Sequence, residues 1–192
     1  MARTVGVLGL QGDFARHLAA LRRIHCPSRL VRRPEDLKTC DALILPGGES
    51  TTFMNLMERT GLAEAVPEFA RNHFLFGTCA GLIVLATEIE GGCRFRPLGL
   101  IDLAVRRNAY GRQVDSFSER IRIPLFPENP AFEAVFIRAP KIVRLGGSTE
   151  PLGFHRDEVV LARNANVLAA AFHPELTRDS RIHDYFVRQL IG

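Results

Sequence analysis

Short apolar runs alternate with amphipathic stretches along the first half of the chain. Residues 4–10 are apolar apart from Thr4 and two glycines, which predicts a buried strand, and Gln11 and Gly12 follow as a loop. Asp13 is placed to cap a helix reaching about Ile24, with Phe14, Leu18, Leu21 and Ile24 near helical spacing on one stripe. A second short strand falls at 29–31, and Pro34 opens a helical turn. A third strand, 41–45, ends in Pro46-Gly47-Gly48-Glu49-Ser50. Ser50 or Thr51 is placed to cap the next helix, which stops near Gly61, and another over 62–72 leads into a strand at 74–76. Residues 82–88 suit a helix. Strands alternating with helices of this length predict an α/β chain: a three-layer, open, mostly parallel sheet with helices on both faces.

Beyond Gly91-Gly92 the rhythm changes. Residues 100–105, 119–123, 134–138, 158–163 and 166–172 read as short strands separated by turns, and 180–191 as a final helix. The middle is expected to add antiparallel strands to the sheet edge. With no internal repeat, low-complexity tract or linker, residues 1–192 are expected to form a single domain.

Composition narrows the classes. The 192 residues are 46% hydrophobic and 24% charged, enough to bury a core without staples. No apolar stretch is long enough to cross a bilayer, and because the first residues run straight into strand-like sequence, no signal peptide is expected. Cysteines 26, 40, 79 and 93 form no C-x-x-C pair, so neither a disulfide framework nor a zinc site is expected, and a cytoplasmic location fits. The net charge of +4 rests almost wholly on scattered arginines, since Lys38 and Lys141 are the only lysines. No basic run is interleaved with aromatics, which argues against a nucleic-acid partner.

The chemistry concentrates in two places. In Gly77-Thr-Cys79-Ala-Gly81 a cysteine sits between two glycines at a strand-to-helix turn, the nucleophile-elbow arrangement with sulfur in place of oxygen. The glycines are expected to take backbone angles closed to other residues and to leave room for substrate, and the following helix points its positive end at the sulfur. In His173-Pro174-Glu175, after the strand 166–172, residues i and i+2 of an extended chain face one side, so Glu175 is placed to orient His173 as base for Cys79. The N–H of Ala80 and one from the Gly47-Gly48 loop are candidate oxyanion donors. The loop lacks the G-x-x-x-x-G-K spacing of a phosphate cradle. Histidines 17, 25, 73, 155 and 183 have no comparable setting and read as structural or surface. From these residues alone, a cysteine hydrolase acting on other acyl groups stays open.

Assembled, the chain resembles the class I, triad-type glutamine amidotransferases (a flavodoxin-like fold), and within them the glutaminase subunits of pyridoxal 5′-phosphate synthases. The resemblance runs through Gly9-Leu-Gln-Gly-Asp13, Leu45-Pro-Gly-Gly-Glu-Ser-Thr-Thr52, Gly77-Thr-Cys-Ala-Gly-Leu82, Arg107-Asn108, Gly111-Arg-Gln-Val-Asp-Ser-Phe117, Phe136-Ile-Arg-Ala-Pro140 and Phe172-His-Pro-Glu-Leu176. Residues 90–98 and 145–156 match less well and read as variable loops. The resemblance implies hydrolysis of L-glutamine to L-glutamate and ammonia by a Cys79–His173–Glu175 triad through a glutamyl thioester. It further implies a glutamine site formed by Gly48, Glu49, Ser50, Arg107, Ile137 and Arg138, and an oxyanion hole from Gly48 and Ala80. No cofactor or metal is implied. The implied partner is a synthase subunit in a hetero-oligomer, with Gln11 near the interface and acting on the oxyanion loop.

Overall fold

The computed structural model describes residues 3–107, 109 and 116–191. The chain begins β1 (Val5–Leu8), α1 (Phe14–Arg23), β2 (Ser28–Val31), β3 (Ala42–Leu45), α2 (Ser50–Thr60), α3 (Leu62–Ala70), β4 (Phe74–Thr78) and α4 (Ala80–Leu85). It continues β5 (Ala86–Ile89), β6 (Ile101–Arg106), β7 (Ser116–Arg122), β8 (Ala131–Ile137), β9 (Lys141–Leu145), β10 (Glu150–His155), β11 (Glu158–Arg163), β12 (Val167–Ala170) and α5 (Arg181–Tyr185). One sheet has the strand order β2-β1-β3-β4-β12-β11-β10-β7-β8. Its first five strands pair in parallel and the rest antiparallel, as the pattern predicts.

The apolar runs are unbroken because both faces of these strands are covered. In β3, Ala42 and Ile44 join the core cluster of Val5, Val7, Phe76 and Leu168, under α1 and α5. Leu43 and Leu45 point the other way, into the cluster of Phe53, Met57, Leu62 and Val66 under α2, α3 and α4. Each fully buried leucine of this kind contributes about 1.5–3 kcal/mol of apolar burial. The strand order reverses direction at β1, with β2 on one side and β3 on the other, so the crevice for a ligand opens at the carboxyl ends of β1 and β3.

Several local expectations are corrected. The helix expected over 82–88 stops at Leu85. Ala86–Ile89 becomes β5, paired with β6, and the Thr87 hydroxyl donates to the Leu103 carbonyl at 2.9 Å. Strands β5, β6 and β9 form a separate three-stranded sheet, so the middle does not all extend the main edge. Residues 145–156, read as a loop, contain β10. Its pairing with β11 shifts register around Pro151 and Gly153, which is why the period-two signal is broken there. The last helix is not continuous: after α5, residues Phe186–Ile191 form a π-type turn.

Asp13 occupies the N-cap of α1 without a side-chain capping bond. The cap of α2 is Glu49, not Ser50 or Thr51: its carboxylate accepts from the Thr51 N–H at 3.0 Å and the Thr52 N–H at 2.7 Å. Gly61 closes α2 at φ +75°, as read. Asn108 and residues 111–115 of the resembling stretches lie outside the described residues. No helix among the described residues is long and apolar enough to cross a membrane.

Candidate active site

Loops leaving the carboxyl ends of β1, β3, β4 and β12 surround a cavity of about 250 Å³. That is below the 300–1,000 Å³ usual for drug-sized ligands and suits one amino acid. Gly48, Glu49, Ser50, Cys79, Arg107, Ile137, Arg138 and His173 all line it. Gly47, in the loop read as an oxyanion donor, lines it too, as do Gly12, Asp13 and Ile83, to which sequence reasoning gave no binding role. The signal for Gly12 and Asp13 was available in the Gly9–Asp13 stretch.

Strain at the elbow falls on the cysteine itself. Cys79 has φ +49° and ψ −103°, whereas Gly77 and Gly81 keep negative φ. A non-glycine residue held there costs about 1–3 kcal/mol. The flanking glycines are demanded by space: a Cβ on Gly81 would lie 2.0 Å from the Leu45 carbonyl oxygen, and one on Gly77 only 2.8 Å from the Gly81 carbonyl carbon. The elbow is pinned by the Cys79 N–H, which donates to the Ala170 carbonyl at 2.9 Å, tying β4 to β12. The Cys79 sulfur lies 3.8 Å from the Ile137 carbonyl oxygen. Ala80, next in the chain, is fully buried as the first residue of α4, so its N–H is one that the helix leaves without an internal acceptor.

His173 Nδ1 lies 2.7 Å from Glu175 Oε1, with both residues buried. They do not meet as neighbours on an extended strand. β12 ends at Ala170, and Pro174–Leu176 is a 3₁₀ turn with His173 at its N-cap. The His173 backbone N–H donates to the Val135 carbonyl at 2.8 Å, fixing the ring's root against β8. Burial opposes an imidazolium at His173, yet its hydrogen bonds to Cys79 and Glu175 and the Glu175 charge hold its pKa up at about 10. Burial likewise opposes ionisation of Glu175, but His17, then the hydrogen bond and charge of His173, bring it down to about 2. With Nδ1 donating to the carboxylate, Nε2 is the ring nitrogen left for the thiol.

The histidines read as structural or surface include two that the fold brings to this site. His17 and His183 are fully buried behind Glu175. His17 Nε2 is 3.4 Å from Glu175 Oε2, and its Nδ1 is 3.0 Å from His183 Nε2. Spacing carried part of that signal, since His17 sits one turn inside α1, on the face that also buries Ala20 and Leu21.

Around the cavity mouth, Gly48 has φ +143°, and a Cβ there would lie 2.3 Å from the Gln11 amide, so Gln11 packs directly on the proposed oxyanion loop. Gln11 Oε1 also accepts from the Glu49 N–H at 3.2 Å. Burial works against ionisation of Glu49, but the N–H groups of Thr52 and Thr51, with their hydroxyls, hold its pKa at about 2. Arg107 Nη1 donates toward the Ser50 and Thr51 hydroxyls at 3.4 and 3.3 Å and toward the Cys93 sulfur at 3.2 Å. Arg138 is exposed on the rim with φ +42°. Asp13, His173 and Glu175 bring three ligand-type atoms within 4.8 Å of one another, but two of these side chains are hydrogen-bonded to each other. All four cysteines are free thiols.

The chain that carries this site has known relatives. The model of the SNO glutamine amidotransferase family matches residues 7–192. The chain is 46% identical over 187 residues to a protein of Thermosipho africanus called pyridoxal 5′-phosphate synthase subunit PdxT, covering 97% of this chain and 98% of that one. It is 48% identical over 187 residues to the protein of the same name from Fervidobacterium nodosum, covering 97% and 96%. Among solved structures, one described as a crystal structure of glutamine amidotransferase superposes with a TM-score of 0.92 at 46% identity, covering 98% of each chain.

Proposed function

The chain belongs to the SNO glutamine amidotransferase family, and from that premise we infer that it is the glutaminase subunit of a pyridoxal 5′-phosphate synthase. It hydrolyses L-glutamine to L-glutamate and ammonia and supplies the ammonia to a partner synthase subunit. The reading rests above all on one observation: a buried His173–Glu175 pair joined at 2.7 Å stands beside a strained cysteine on an amino-acid-sized cavity.

In the reaction, the Cys79 thiol passes its proton to His173 Nε2 and the sulfur attacks the side-chain carboxamide carbon of glutamine. The oxyanion that forms takes hydrogen bonds from the N–H groups of Ala80 and Gly48. His173 hands its proton to the nitrogen, ammonia leaves, and a glutamyl thioester remains. Water then attacks the thioester while His173 takes up its proton, and glutamate departs. Glu175 keeps the imidazole in the productive tautomer and stabilises its charged form. Arg107 and Arg138 supply guanidinium groups for the α-carboxylate of glutamine, and Gly48, Glu49, Ser50 and Ile137 complete the pocket.

Ammonia freed into neutral water becomes ammonium, which is no nucleophile, so release is useful only when docked on the consumer in a hetero-oligomer. Gln11, braced against Gly48, is suited to couple that docking to the oxyanion loop. We place the complex in the cytoplasm, where the four thiols stay reduced.

The test is glutamate release with the synthase subunit present, comparing wild type and Cys79→Ala. Loss of release in the variant, with pyridoxal phosphate formation restored by added ammonium, supports the reading. Equal rates overturn it.

A further inference from the structure

Behind the triad lies a second polar layer that the mechanism above does not use. Glu175 has one oxygen, Oε1, committed to His173. The other, Oε2, is buried without a hydrogen bond among the described residues, and the His17 Nε2 stands 3.4 Å away. The same nitrogen is 3.2 Å from the Thr78 hydroxyl, one residue before the nucleophile. His17 Nδ1 is 3.0 Å from His183 Nε2, and His183 Nδ1 is buried with no partner among the described residues. Both rings pack against Phe76 of β4, with centroids at 6.3 Å for His17 and 5.8 Å for His183. The layer thus joins α1, α5, the end of β4 and the turn that carries Glu175.

The proton positions follow from these contacts. A lone pair on His17 Nε2 would face a carboxylate oxygen across 3.4 Å, so that nitrogen carries the hydrogen. Its Nδ1 must then accept, and among the described residues the ring N–H offered to it is that of His183 Nε2. His183 is left with its lone pair on Nδ1, the nitrogen with no partner.

We propose that His17 and His183 are positioning residues for the triad: His183 sets the tautomer of His17, and His17 presents its N–H to the free oxygen of Glu175, keeping that carboxylate ionised and aimed at His173. This deepens the glutaminase reading and rests on it. The titratable groups around Glu175 are Asp13 at the cap of α1, His17 from α1, His173 after β12 and His183 from α5, with Cys79 acting on His173 and Arg23 on His183. Burial, the largest influence, lowers the pKa of His17 despite the opposing Glu175 charge, and burial with the neighbouring His17 takes His183 down to about 3. Two neutral rings therefore offer a dipole without adding a buried charge.

The experiment uses the complex with the synthase subunit and measures glutamate release against pH for His17→Gln, His17→Asn and His17→Phe, with thermal melts. The Gln amide nitrogen reaches the place of Nε2; that of Asn reaches only the place of Nδ1. The Asn and Phe variants are expected to lose about 10- to 100-fold in kcat. KM should stay within about twofold, because His17 is absent from the cavity lining. Their alkaline limb should move to lower pH, since a less firmly ionised Glu175 holds the His173 proton less tightly. Gln should recover most of the rate. Equal kcat and unshifted pH limbs in the Gln and Asn variants overturn the proposal, even if Phe fails to fold. Failure of the underlying reading appears separately, as no Cys79-dependent glutamate release from the wild type.

Discussion

Replacing Gly47 with alanine tests how closely nucleophile, base and oxyanion loop are fitted. A Cβ at this position would lie 2.3 Å from His173 Cε1, 3.0 Å from its Nδ1 and 3.3 Å from Cys79 Cβ. Gly47 is not in the left-handed region, so alanine meets no backbone penalty and the effect is one of space alone. Ordinary contact begins near 3.4 Å, so the ring or the loop must retreat by about 1.1 Å. The ring is held by Glu175 at 2.7 Å and through its backbone at 2.8 Å. The loop is backed by Gly12, where a Cβ would lie 1.8 Å from the Gly47 carbonyl oxygen. Neither side yields freely. A misplacement of about 1 Å costs on the order of 10²-fold in rate, or about 2.7 kcal/mol of barrier. Overpacking adds roughly 1–3 kcal/mol of lost stability, each kcal/mol lowering Tm by about 2–4 °C in a chain of this size. The assay is the initial rate of glutamate release with saturating synthase subunit, beside a melt of the same sample. A folded Gly47→Ala protein with kcat within about threefold of wild type would refute the reasoning, because the wall between sulfur and imidazole would then be compliant.

Two further outcomes follow from charge. His173, raised to about 10, contributes stability that is full below its unfolded pKa near 6.5 and is lost as pH rises toward 10. His183, lowered to about 3, costs stability as pH falls below 6.5, because only the unfolded chain takes up its proton readily. Chemical denaturation from pH 5 to 9 should therefore peak near the ordinary histidine value of 6.5, with slopes of up to about 1.4 kcal/mol per pH unit for each group. His183→Phe should reduce the slope on the acid side, to which the lowered His17 also contributes; an unchanged acid side in that variant counts against the assignment. Arg107→Ala should raise KM for glutamine about 10- to 100-fold while leaving kcat within a few-fold, as expected for losing a charge-assisted bond of about 1.5–3 kcal/mol. A loss confined to kcat would remove Arg107 from the glutamine site.

Much of the architecture was legible because burial on two faces writes itself directly into composition. β3, with Ala42 and Ile44 on one face and Leu43 and Leu45 on the other, has no polar position to confuse its reading. Capping was misread at Glu49 because Ser50 and Thr51 are also good caps, and only the turn's geometry decides which side chain reaches the free N–H groups. β10 stayed hidden because Pro151 and Gly153 break its alternation, and β5 because its first residue continues a helical apolar run.

What the sequence determined by itself is the set of reactive groups and its local setting. A thiol between close-packing glycines, an imidazole two residues from a carboxylate, and strands that deliver such loops to one sheet edge are all local patterns. What only the tertiary structure decided is the company that these groups keep. Cys79 takes the strained angles while its glycines merely make room, and His17 and His183, 166 residues apart, close on the far side of Glu175. The physical reason is that periodicity records which face a residue turns toward, whereas the electrostatics of a buried site depends on which atoms meet across elements, and that is set by packing in three dimensions.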